Sequence, residues 1–137
     1  LEKLSKEKKI EILIKIHPSE SKCLSSLKNL FPNLIFTNKP VEKLFKKCFV
    51  TISFSSSVIE DSLNSQVPVI LFDQWKRYMH CDTQNKEGSA VYYVNNQKDL
   101  SKILDNILKL NKFNFEEFVY ATDSKQNINN KIFTLIN

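Results

Sequence analysis

A single glycine in 137 residues is the most restrictive feature of this chain. Ordinary usage near 7% would give roughly ten. With only Gly88 present, neither G-x-G-x-x-G nor G-x-x-x-x-G-K-[ST] can occur, so a glycine-rich phosphate loop is excluded. The three cysteines (Cys23, Cys48 and Cys81) are odd in number, far apart and form no C-x-x-C. They indicate neither a disulfide framework nor a zinc ribbon, and reduced thiols are the simplest expectation. Cys48 sits beside an apolar run and reads as a small core residue. No apolar run approaches the roughly 20 residues of a membrane span, and nothing resembles a signal peptide. A cytoplasmic protein is expected. The chain opens Leu1-Glu2-Lys3 rather than with Met, which points to a piece of a longer protein.

What is present is ordinary in bulk. A hydrophobic fraction of 42% and a charged fraction of 26% fit one globular domain, long enough to bury a real core. The net charge of +5 comes from lysines that mostly alternate with Glu, Asp or Ser on predicted helix surfaces. A solvated face explains them, because charge alone identifies no partner. Nucleic acid is not expected as a partner. A weak pull toward an anionic membrane surface or nucleic acid is the remainder, the latter requiring the lysines to gather on one face.

Along the chain, apolar runs alternate with helix-like patterns. Residues 10–16 are nearly continuous and β-branched, as in a strand of a parallel sheet. Pro18 punctuates them. Ser19-Glu20-Ser21 opens a helix carrying Leu24, Leu27, Leu30 and Phe31. Residues 34–36 make a short strand, and Pro40 suits a first helical position. Further strands are predicted over residues 48–54, 67–72 and 90–94. Helices are predicted over residues 57–65 and across Leu100, Ile103, Leu104, Ile107 and Leu108, the cleanest i, i+3, i+4, i+7 stripe. Residues 73–88 read as a loop. Phe113, Phe115, Phe118, Val119 and Tyr120 form an aromatic cluster, and a last helix is expected over residues 123–135. The alternation implies an α/β, Rossmann-like three-layer domain over residues 1–137, with a mostly parallel sheet of about five to six strands.

In open parallel sheets, ligands sit beyond the carboxyl ends of the strands. Two segments there carry suitable groups. Ser55, Ser56 and Ser57 follow one strand and open a helix. Ser57-x-x-Glu60 is also a capping box, which alone would account for both residues. Alternatively, the hydroxyls and first-turn N–H groups cradle a phosphate, and Glu60 accepts from ribose hydroxyls. His17, just past another strand, either caps the segment after it or donates to a phosphate and protonates a leaving group. Asp73, in the polar stretch after the strand over residues 67–72, is a candidate sugar contact. His80, Cys81 and Asp82 lack a second ligand cluster, so no metal or cofactor is implied.

The runs "IKIHPSE" and "VTISFSSSVIEDSLNSQVPVILF" resemble the C-terminal half of GT-B glycosyltransferases. More narrowly, they resemble bacterial enzymes of capsule and surface polysaccharide assembly, which carry a His-Pro motif and a later Ser-rich motif. The resemblance spans roughly residues 10–110. It implies a domain that binds a nucleotide-activated sugar of UDP, CMP or CDP type. His17 would be the catalytic phosphate contact, Ser55, Ser56 and Ser57 the phosphate seat, and Glu60 the ribose ligand. It also implies a glycan acceptor, a separate N-terminal domain, and work at the inner face of the membrane. Such families usually show glycine near the position of Gln66, so phosphate contacts here would lean on hydroxyls. With one half present, the isolated domain is expected to be inactive, since the cleft orienting donor against acceptor is missing. The rival from a different class is a non-catalytic Rossmann-like interaction domain, in which the capping box and His17 are structural.

Overall fold

Apolar runs and amphipathic stretches alternate to give parallel strands joined by helices, in two units, residues 1–47 and residues 48–137. The structure, a computed structural model, describes residues 1–77 and 85–118. The expected helix over residues 123–135, and Tyr78, His80, Cys81, Asp82, Val119 and Tyr120, lie outside the described residues.

In the first unit, α1 (Glu2–Lys8) ends on Lys9 in the left-handed conformation, φ 54°. Glu2 Oε1 accepts from the Asn33 amide at 3.2 Å and from its side-chain nitrogen at 3.1 Å, fastening the start of the helix. Strand β1 (Leu13–Lys15) pairs in parallel with β2 (Ile35–Thr37). The predicted strand over residues 10–16 is trimmed to three residues because its partner is short. Pro32-Asn33 and Asn38-Lys39-Pro40 punctuate β2 on both sides. Between the strands, a 3-10 turn (Pro18–Cys23) leads into α2 (Leu24–Leu30); after β2 comes α3 (Val41–Phe45), with Pro40 at its N-cap rather than inside its first turn. Ile16, Leu34 and Phe36 form the buried cluster, with Ile12, Ile14, Leu24 and Leu27 packed against it. Leu13 and Ile35, opposite each other in register, are exposed on the other face.

In the second unit, β4 (Val69–Phe72) lies between β3 (Thr51–Ser53) and β5 (Val91–Val94), all parallel. Val69 and Ile70 have no solvent exposure, as a central strand covered on both faces requires. α4 (Val58–Asn64) joins β3 to β4, and α5 (Gln97–Ile107) follows β5. Leu63, Val69, Ala90 and Val91 form a buried cluster, completed by Ile59, Leu71, Phe113, Phe115 and Phe118. The three phenylalanines are therefore core packing, and Phe113 meets Phe115 edge-to-face at 6.4 Å. The heptad-like stripe of α5 buries Leu100, Ile103, Leu104 and Ile107, while Leu108 is left 40% exposed past its end.

Two corners explain how a chain nearly without glycine turns. Gln66 follows α4 with φ 57°. Its amide donates to the Leu63 carbonyl at 2.9 Å, and the Val67 amide donates to the Ser62 carbonyl at 2.9 Å. This is the Schellman pattern, usually closed by glycine. Gly88 supplies the other corner at φ 77°, where its carbonyl accepts from the Asn114 amide at 2.7 Å. Ser62 is fully buried. Its hydroxyl is hydrogen-bonded to that of Thr51 at 2.7 Å and donates to the Val67 carbonyl at 3.0 Å. The architecture is thus α/β with parallel sheets of two and three strands. Among the described residues, no helix is long and apolar enough to cross a membrane.

Candidate functional site

Because β3, β4 and β5 run in parallel, their carboxyl ends share one edge. Three segments leave it: residues 54–57, residues 73–77 and residues 95–96. Ser55, Ser56 and Ser57 are all exposed there. The expected capping box does not form. Ser57 is the N-cap of α4 but has helical backbone angles, φ −57° and ψ −19°, and makes no side-chain cap hydrogen bond. A capping side chain needs its backbone in the extended region to reach forward over the first turn. Ser56 acts locally instead, its Oγ accepting from the Val58 amide at 3.3 Å. Asn96 shows the contrast. With φ −148° and ψ 161°, it caps α5 by accepting from the Asp99 amide at 2.9 Å, and its Nδ2 donates to Asp99 Oδ2 at 2.6 Å. That cap went unpredicted, although Asn96-x-x-Asp99 ahead of an apolar stripe was its visible signal. Glu60 is exposed in the first turn of α4.

Asp73, expected to face a sugar, is fully buried instead. Its amide donates to the Val94 carbonyl at 2.8 Å, and Tyr93 Oη donates to Asp73 Oδ2 at 3.2 Å. The carboxylate ties the ends of β4 and β5 together beneath the edge. Beyond it, the Arg77 guanidinium carbon lies 4.8 Å from the Phe54 ring centroid and 5.0 Å from that of Trp75. In the sequence, the segment holding Trp75 and Arg77 reads either as facing a sugar or acceptor or as a surface loop, and Phe54 as the end of a strand.

His17 belongs to the first unit and lies just past β1. It is the N-cap of the 3-10 turn. Its Nδ1 accepts from the Ser19 amide at 3.3 Å and is 2.7 Å from Ser19 Oγ. With Nδ1 accepting, the neutral ring carries its proton on Nε2. The imidazole is exposed. The same unit holds a mainly apolar cleft of about 570 Å³, lined by Ile14, Ile16, Leu27, Phe31, Leu34 and Phe36 among others, and His17 is not part of its wall.

Among the described residues, no group of three His, Cys, Asp or Glu side chains is placed to hold a metal. Burial pushes the Cys48 thiol above its ordinary value. Burial also pushes the Tyr92 hydroxyl up; the nearby Gly88 backbone pulls the other way, and the Glu87 charge adds to the rise. The chain matches no family model, no curated protein and no solved structure.

Proposed function

We propose that this chain is the donor nucleotide-sugar-binding domain of a glycosyltransferase of surface polysaccharide synthesis, working at the cytoplasmic face of the membrane. On this proposal it is a Rossmann-like three-layer domain equivalent to the C-terminal half of a GT-B enzyme. One observation carries it. Three consecutive serines stand exposed past the carboxyl end of β3, and the Ser57 hydroxyl is not consumed by capping. Those hydroxyls donate to the phosphate oxygens of an activated sugar, and Glu60 accepts from the ribose hydroxyls. His17 donates from Nε2 to the departing phosphate, stabilising the charge that develops there. The acceptor and the separate N-terminal domain complete the enzyme.

Titration of the chain with UDP, CMP and CDP, followed by backbone amide shifts, tests this. Perturbation of residues 55–60 together with His17 supports it. Unmoved amides at millimolar nucleotide overturn it. The capping bond from the Ser19 amide to His17 favours the non-catalytic interaction domain, in which His17 is structural. Shifts at the serines without any at His17 would remove the catalytic role from the imidazole.

A further inference from the structure

Arg77 is the single arginine among 20 Lys and Arg residues, and it stands on the edge that carries the serines. Lysines would serve any general need for surface charge. Arginine differs in presenting a planar fork of N–H donors that matches two phosphoryl oxygens at once. The left-handed backbone of Lys76, φ 52°, folds the chain between Trp75 and Arg77. The head group then comes to rest over the rings of both Phe54 and Trp75. Ring contacts hold a guanidinium in place without neutralising it. Among the described residues, no carboxylate lies within ion-pair range of Arg77. Phe54 directly precedes Ser55, so the ring that holds the cation also begins the hydroxyl row. Trp75 is 72% exposed, which core packing does not explain.

We infer that Arg77 is an anion-recognition residue of this edge, held by Phe54 and Trp75 to grip the phosphoryl oxygens of a nucleotide seated on Ser55, Ser56 and Ser57. This deepens the proposed function and rests on it. Serine hydroxyls and a guanidinium together offer several donors, converging on one group rich in acceptor oxygens. A phosphoryl group fits that set better than a neutral sugar.

Trp75 is the only tryptophan of the chain, so its fluorescence reports directly on its Arg77 neighbour. Pyrophosphate and UDP are titrated into the wild-type chain, Arg77→Gln and Arg77→Lys. Trp75 emission and the amide shifts of residues 55–57 are followed together, and the amide spectrum of each variant confirms its fold. A saturable response in the wild type, weakened about tenfold or more in Arg77→Gln and part-way in Arg77→Lys, supports the inference, since one charge-assisted bidentate contact is worth that much. Amide shifts at the serines with equal affinity in all three proteins overturn the inference and leave the proposed function standing. An Arg77-dependent Trp75 response without serine shifts keeps Arg77 as an anion site and overturns the serine seat. Silence in both readouts overturns both.

Discussion

The Val58 amide donates to Ser56 Oγ at 3.3 Å, so Ser56, not Ser57, closes the first turn of α4. Ser56 therefore bears on stability as well as on the proposed nucleotide seat, and Ser57 on the proposed seat alone. Ser56→Ala is expected to destabilise the fold by about 0.5–1 kcal/mol, the usual loss for a cap of this kind. Ser57→Ala is expected to leave stability unchanged within about 0.5 kcal/mol and to weaken nucleotide binding. Urea unfolding of the two variants beside nucleotide titration checks both. Equal destabilisation by the two would restore the capping box.

Tyr92 buries its hydroxyl without a well-formed hydrogen bond among the described residues, only the Gly88 backbone lying near it. Removing an unsatisfied buried hydroxyl relieves its desolvation, so Tyr92→Phe is expected to be neutral or to stabilise by up to about 1 kcal/mol. The pH dependence follows from its raised ionisation. A proton held more tightly in the folded state stabilises the fold fully below the unfolded value near 10, and that contribution is lost as pH rises beyond it. The wild type should lose stability between pH 9 and 11 more steeply than Tyr92→Phe, as measured by thermal melts across that interval (about one unit to either side of the free phenol). Parallel curves would refute this.

Cys23 is exposed, whereas Cys48 is partly buried and its thiol is pushed up by desolvation. Less thiolate at a given pH means slower alkylation. Iodoacetamide at mildly alkaline pH, followed by peptide mapping, should label Cys23 well before Cys48. Labelling of Cys48 first would show that the second unit opens there.

Gln66 holds a left-handed conformation at the Schellman corner after α4. A side chain there costs about 1–2 kcal/mol, whereas glycine costs about 0.5–1 kcal/mol through the unfolded chain. Gln66→Gly should therefore stabilise by about 0.5–1 kcal/mol, read from the urea midpoint. A lower midpoint would mean that the glutamine side chain makes a compensating contact.

Much of the second unit was legible in the sequence. Apolar runs at 67–72 and 90–94 could only be buried strands, and the stripe from Leu100 to Ile107 fixed the buried side of α5. Strand ends were less legible, because the length of β1 is set by a partner 22 residues away in register, Leu13 opposite Ile35. The place of the serine row was legible, since Ser55, Ser56 and Ser57 do stand exposed past the carboxyl end of β3. Its detail was not. Which of two neighbouring serines caps a helix depends on one ψ angle, and no residue pattern reports it. Asp73 looked like an exposed loop carboxylate, because the Tyr93 hydroxyl that accompanies it comes from a strand 20 residues later. Arg77 had a compositional signal, a lone arginine two residues from a lone tryptophan, but its ring partner Phe54 arrives only through the parallel pairing of β3 with β4.

The Ser62 hydroxyl, wholly enclosed, reaches Thr51 and the Val67 carbonyl. Slip β3 by one position and Ile52 would slide beneath that hydroxyl, which would keep the Val67 carbonyl but lose Thr51, at a cost of about 0.5–1.5 kcal/mol. Thr51 would rotate to the opposite side with every other residue of the strand. A small polar pair thus acts as an alignment pin. It dictates which side chains crown the strand, and so the point at which the serine row emerges from it.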